Sequence, residues 1–216
     1  MSLPAVLFDF DGTVMDSEPA VLASYLHVFE IYASAPEFTD ERRTEVLGPP
    51  LEKMMRIYFP DADAYEVMEE YRRYQTEHLK ELMKPMPGAV ELLKQLHEDG
   101  YRTGIVTSRL RESLEHILDV FEMKDLFDVL VCQDDGLPAK PAPDGILEAC
   151  RQLGCDKSIY VGDSVSDLAA GKNAGSVTIA ALTNLMKEQS LLDFGPDYAV
   201  HHLSEITEIM KGTGNE

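Results

Sequence analysis

The feature that most restricts the fold is an alternation that begins after Pro85-Met86-Pro87-Gly88 and runs to near the end of the chain. Apolar runs of strand length stand at Thr103–Thr107, Val129–Val131, Ser158–Gly162 and Val177–Ile179. Between and before them lie stretches of helical periodicity: 89–98 with Gly100 as its stop, 111–121, 144–153 and 166–174. Strands separated by helix-length connections join through right-handed crossovers and lie parallel, with both sheet faces covered. The fold class predicted is α/β, a doubly wound parallel sheet.

One further strand is expected earlier, at Ala5–Phe10, where an apolar run meets an Asp-Gly loop. From Glu18 to about Leu82 the texture differs, being rich in Glu, Lys, Arg, Met and Tyr with no convincing strand. Leu22, Leu26 and Phe29 recur at helical intervals, as do Val67, Tyr71 and Tyr74. Pro36, Gly48-Pro49-Pro50 and Pro60 divide this stretch into about four helices. The expected organisation is a core of residues 1–15 and 86–216 with a helical insertion over 16–85.

Charge narrows the partners. The 216 residues carry 39 acidic and 19 basic side chains, a formal charge of -20. Nucleic acids and anionic membranes are bound through excess Lys and Arg, so neither is an expected partner. A small phosphorylated molecule remains compatible if a divalent cation and a few placed donors are brought to it locally. Cys132, Cys150 and Cys155 form no CxxC pair, which argues against a disulfide framework or a zinc knuckle. The amino terminus has neither basic flank nor apolar stretch of a signal peptide, and no segment approaches a membrane span, so cytoplasm is the expected compartment.

Ligands of open parallel sheets bind at the carboxyl ends of the strands, and four expected strand ends carry suggestive residues. The first leads into Asp9-Phe10-Asp11-Gly12-Thr13. Two carboxylates this close repel unless a cation or proton lies between them, and Mg²⁺ prefers such oxygen ligands. One carboxylate can attack phosphorus while the other moves protons; an ordinary Asp-Gly turn is the plainer alternative. A calcium loop is excluded, since Gly12 stands fourth and Ala20 twelfth where that pattern needs Gly sixth and Glu twelfth. Thr107-Ser108-Arg109 offers hydroxyls and backbone N–H groups to a phosphate, or is simply a loop start. Lys140, stiffened by Pro141, would neutralise a nucleophile and a transferring phosphoryl group. Gly162-Asp163-Ser164-Val165-Ser166-Asp167 places two aspartates four apart, on one helix face or as ordinary caps. Neither a nucleoside-triphosphate loop nor a serine-hydrolase elbow occurs.

In this order the four segments resemble the motifs of the haloacid dehalogenase superfamily. Asp9, Asp11 and Thr13 match D-x-D-x-T; Thr107 matches the strand-end hydroxyl; Lys140 matches the lysine; Gly162, Asp163 and Asp167 match G-D-x-x-x-D. The resemblance spans nearly the whole chain. It implies that Asp9 is the nucleophile and a Mg²⁺ ligand. Asp11 would be the general acid/base and give its backbone carbonyl to the metal, with Asp163 as a further ligand and Asp167 supporting it. Thr107 and Lys140 would hold phosphoryl oxygens, with Ser108 and Gly12 beside them. An aspartate at position 11 argues against dehalogenase activity.

The helical insertion resembles the cap of this superfamily, a lid that excludes water and supplies specificity contacts. Leu47-Gly48-Pro49-Pro50-Leu51 resembles the loop that reaches from it, making Gly48 and Leu51 specificity candidates, and Arg109 is a further candidate, for gripping a second anionic group of the substrate. Beta-phosphoglucomutases carry Arg where Leu51 aligns, which weighs against a phosphosugar mutase as the alternative. The stretches 104–107, 139–141, 161–164 and 170–175 are most similar to phosphoglycolate phosphatases and PpaX-type pyrophosphatases. A catalytically silent binding protein of the same fold is the reading from another class, and intact Asp9, Asp11, Lys140 and Asp163 oppose it. The pair His201-His202 has no ligand partners at metal spacing and reads as surface.

Overall fold

The computed structural model describes residues 3–32, 39–47 and 50–213. In chain order it begins with β1 (Ala5–Phe8), β2 (Met15–Asp16), α1 (Glu18–Tyr32), α2 (Asp40–Glu45), α3 (Leu51–Tyr58), α4 (Ala64–Glu77), α5 (Leu79–Leu82) and β3 (Lys84–Pro85). There follow α6 (Ala89–Glu98), β4 (Thr103–Val106), α7 (Arg111–Val120), β5 (Val129–Val131), α8 (Asp144–Leu153) and β6 (Ser158–Gly162). The chain closes with α9 (Val165–Asn173), β7 (Val177–Ala181), α10 (Leu185–Phe194), β8 (Tyr198–Val200) and α11 (Ile206–Thr213). These elements form two compact units, Met1–Asp16 with Pro85–Glu216, and Ser17–Lys84.

The first unit is built on a six-stranded parallel sheet of order β5-β4-β1-β6-β7-β8. β1, β4 and β6 are buried at every position, as strands covered by helices on both faces must be. That burial is why they read as largely apolar runs, with Thr103 and Ser158 the polar starts of β4 and β6. Leu7, Ile105 and Val161 are fully enclosed, each stabilising the fold by about 1.5–3 kcal/mol relative to exposure. The chain passes from β1 towards β4 and β5 on one side, and towards β6, β7 and β8 on the other. β1 is therefore the topological switch point, and the crevice beyond its carboxyl end is where such sheets bind ligands.

β8 was not visible as a strand in the sequence. It has three residues, two of them exposed at the sheet edge, so it lacks an apolar signature. Asp197 fixes its entry: its Oδ2 accepts hydrogen bonds from the Thr178 amide and the Thr178 hydroxyl, both at 2.7 Å.

The second unit is helical. α1 packs on α4, and Tyr25, Val28, Phe29, Met55, Val67, Met68 and Tyr71 form its interior. The Tyr25 and Tyr71 rings meet edge-on at 5.1 Å and Phe29 meets Phe59 at 4.8 Å. Among the described residues the unit holds five helices where about four were expected. α4 stops at His78, whose backbone (φ -112°, ψ 16°) leaves the helical range without a Gly or Pro to announce it. The single turn α5 follows. Pro36, Gly48 and Pro49 lie outside the described residues.

Candidate active site

Backbone geometry delivers the acidic residues to one place. Asp9 follows β1 directly, and its amide donates to the Val161 carbonyl of β6 at 2.8 Å. Asp163 follows β6, while Asp167 lies in the first turn of α9. There Asp167 shares a capping box with Ser164, accepting from the Ser164 amide at 3.1 Å and from its hydroxyl. One carboxylate oxygen each of Asp9, Asp163 and Asp167 lies within 4.8 Å of the others, and all three residues are buried.

Two glycines make this approach possible. Gly12 has φ +80°, and a Cβ there would collide with the Asp163 carboxylate. A Cβ on Gly162 would collide with Asp167.

Lys140 enters the cluster from the loop before α8. Its Nζ donates to Asp9 Oδ1 at 2.7 Å and to Asp167 Oδ1 at 2.6 Å, with the Tyr160 hydroxyl and Val106 carbonyl each at 3.3 Å. Burial alone would lower the lysine's pKa, but Asp167 and Asp9 hold it well above its usual value. Burial pushes the Asp9 carboxyl up, Asp167 and Asp163 push it further, and Lys140 opposes them. Asp163 is raised for the same first reason, with Lys187 opposing. Like charges held this close in a buried place call for a counter-cation.

The remaining expected residues divide into those near the cluster and those elsewhere. Thr107 follows β4, is buried, and accepts from the Arg109 amide at 3.2 Å through its hydroxyl. Ser108 is exposed beside it. Asp11 faces Arg109: guanidinium Nη2 lies 2.5 Å from Oδ1 and Nε lies 3.1 Å from Oδ2. Arg109 also reaches the Ser113 hydroxyl at 3.1 Å, and its side chain is only 11% exposed. Thr13 is buried, and its hydroxyl has no hydrogen-bond partner among the described residues. Leu51 opens α3 and packs on the interior of the helical unit; Gly48 lies outside the described residues.

Three participants escaped the sequence reading. Lys187 of α10 places Nζ 2.6 Å from Asp163 Oδ2, yet a lone helical lysine carries no signal in sequence. Tyr160 brings a buried hydroxyl into an otherwise apolar strand, within 3.0 Å of the Val106 carbonyl. Thr183 donates to the Gly12 carbonyl at 2.7 Å, bracing the loop that holds Asp11.

Carboxylates gathered at the switch point of a parallel sheet, with one ammonium shared between two of them, are the site of a phosphatase built on a doubly wound α/β fold. Comparison with known proteins agrees. Residues 6–181 match the family model described as haloacid dehalogenase-like hydrolase, and the chain belongs to that family. Pyrophosphatase PpaX of Halalkalibacterium halodurans is 33% identical over 212 residues, covering 97% of this chain and 98% of that protein. Pyrophosphatase PpaX of Bacillus velezensis is 36% identical over 208 residues, covering 95% of each. A solved HAD hydrolase of family IA, variant 3, from Entamoeba histolytica superposes with a TM-score of 0.86 at 23% identity, over 99% of this chain and 100% of that one. That likeness concerns the fold.

The family implies a divalent metal ion, and the residues present fit one. Three buried carboxylates that converge within 4.8 Å, two of them pushed up in pKa by burial, supply the hard oxygen donors such an ion takes.

Proposed function

We propose that this phosphatase uses Mg²⁺ and hydrolyses a small phosphorylated metabolite, pyrophosphate or a monoester like 2-phosphoglycolate, through a covalent phospho-Asp9. The observation that carries the reading is the convergence of Asp9, Lys140, Asp163 and Asp167 beyond the switch-point strand, with Thr107 at the neighbouring strand end. The similarity to PpaX pyrophosphatases over nearly the whole chain supports pyrophosphate within the substrate class. Asp9, Asp163 and the Asp11 backbone carbonyl would hold Mg²⁺, with Asp167 beside them. The ion supplies charge neutralisation of the phosphoryl oxygens when bound.

In the first step an Asp9 carboxylate oxygen attacks phosphorus in line, and the bond from phosphorus to the leaving oxygen breaks. Asp11, as the carboxylic acid, gives its proton to that oxygen. In the second step the Asp11 carboxylate takes a proton from water, whose oxygen attacks phosphorus, releasing inorganic phosphate and regenerating Asp9. Lys140 and Thr107 hold the phosphoryl oxygens, and the backbone beside Ser108 and Gly12 completes the cradle. Positioning and electrostatic stabilisation carry most of the catalysis. Arg109 grips both oxygens of the Asp11 carboxylate; released from Asp11, its bidentate guanidinium would suit a second anionic group on the substrate. The helical unit acts as a cap, and Gly48 and Leu51 belong to the segment that confers specificity. No described helix is long and apolar enough to cross a membrane, and we assign the protein to the cytoplasm.

The test is phosphate release from pyrophosphate, 2-phosphoglycolate, p-nitrophenyl phosphate, hexose phosphates and nucleotides, with Mg²⁺ present and chelated. Metal-dependent release with one dominant kcat/KM is the expected result. Absence of release from every compound overturns the reading.

A further inference from the structure

Lys187 makes a charged contact to the acidic cluster that the proposed reaction does not use. Its Nζ sits 2.6 Å from Asp163 Oδ2, and its side chain is 36% exposed where that of Asp163 is 7%. A lysine in the first turn of a surface helix can hydrate its ammonium fully in water. Here the ammonium instead points inward at a carboxylate that the proposed function assigns to the metal.

Lys140 differs in kind. It is enclosed, with 11% of its side chain exposed, and it bridges Asp9 and Asp167. Lys187 touches only Asp163 within the cluster. Three carboxylates therefore face two ammonium groups, and a cation at Asp163 would meet Lys187 at close range. Two positive charges cannot share that oxygen without strong repulsion, whereas the flexible four-carbon stem lets this half-buried lysine withdraw to water.

We propose that Lys187 is a positioning residue that stands in for the cation at Asp163 in the metal-free protein and is displaced when the metal binds. It neutralises the Asp163 carboxylate and sets the metal affinity by competition. The inference rests on the reading of Asp163 as a metal ligand, and the experiment separates the two.

Mg²⁺ and Mn²⁺ are titrated calorimetrically into metal-free wild type, Lys187→Met, Lys187→Gln and Asp163→Asn, and each Tm is recorded in EDTA and in saturating Mg²⁺. Lys187→Met is expected to bind Mg²⁺ about tenfold more tightly, the loss of one charge-assisted contact that metal must otherwise break. Its Tm should fall below wild type in EDTA and recover or exceed it in Mg²⁺, a crossing that a merely structural lysine would not produce. Unchanged or weaker affinity in both Lys187 variants, while Asp163→Asn loses binding, overturns the inference and leaves the metal assignment standing. Undiminished binding by Asp163→Asn overturns the metal assignment and the inference with it. Should neither Lys187 variant fold in EDTA, rescue by Mg²⁺ supports the inference and failure of rescue overturns it.

Discussion

The two units of this chain differ in where they hold charge. In the helical unit the Arg and Glu pairs ride on the surface: Glu52 with Arg56, Glu69 with Arg72, and Glu70 and Glu77 with Arg73, all three or four residues apart. Its interior is Tyr, Phe, Met and Val. The sheet unit has such pairs too, Glu148 with Arg151 and Glu208 with Lys211, but it also carries Asp9, Asp163, Asp167 and Lys140 inside, around the carboxyl ends of its most buried strands. Exposed pairs contribute a few tenths of a kcal/mol and keep a helix soluble. Buried charges cost desolvation, and like-charged neighbours cost more, so a chain retains them where chemistry needs them. One unit is arranged for stability, and the other gives up stability at its switch point.

Substitutions can break or sharpen this contrast. The largest effect is expected for Asp9→Asn, which should lower phosphate release by about a thousandfold or more. The same change removes one of three repelling carboxylates, so urea unfolding in EDTA should show stability unchanged or raised. Retained turnover would move the nucleophile elsewhere. Lys140→Met leaves Asp9 and Asp167 facing each other without their shared ammonium. A loss of about 3–5 kcal/mol is expected in the same unfolding assay, and a loss under 1 kcal/mol would show that water reaches the cluster freely.

Met55, fully buried in the helical unit, provides the apolar counterpart. Met55→Ala should cost about 2–5 kcal/mol by leaving a cavity, with the metal making no difference to the cost. Thr13→Val replaces a buried, unpartnered hydroxyl by a methyl of similar size. It should be neutral or stabilising by about 1 kcal/mol, and destabilisation would reveal a partner for that hydroxyl. Smallest of all, Arg56→Ala should change stability by about 0.5 kcal/mol or less, and less still in high salt.

The parallel sheet was legible because strands buried on both faces must be largely apolar, and each such run led into a residue able to do chemistry. Ala5–Phe8, Thr103–Val106 and Ser158–Gly162 are of this kind. Tyr198–Val200 is not, because an edge strand with one buried residue looks like loop. The break at His78 was hidden because neither Gly nor Pro marks it. Within the site, the clustering of aspartates could be anticipated from strand ends. The engagement of Asp163 by Lys187 and of Asp11 by Arg109 could not. Each pairing depends on how segments distant in sequence come to face one another, and a single lysine or arginine has no periodicity to betray it.

The place of β1 between β4 and β6 has a consequence for the order in which the molecule is made. β1, which leads directly into Asp9, is synthesised well before its partners, residues 103–106 and 158–162. Pairings this remote close late, because the intervening chain must be ordered before they repay its lost freedom. The strand thus waits for both partners before its pairing is complete. Nascent chains ending before β6 should leave β1 paired on one side at most and open to proteolysis, and Asp9 meets Asp163 and Asp167 only once β6 and α9 have been made.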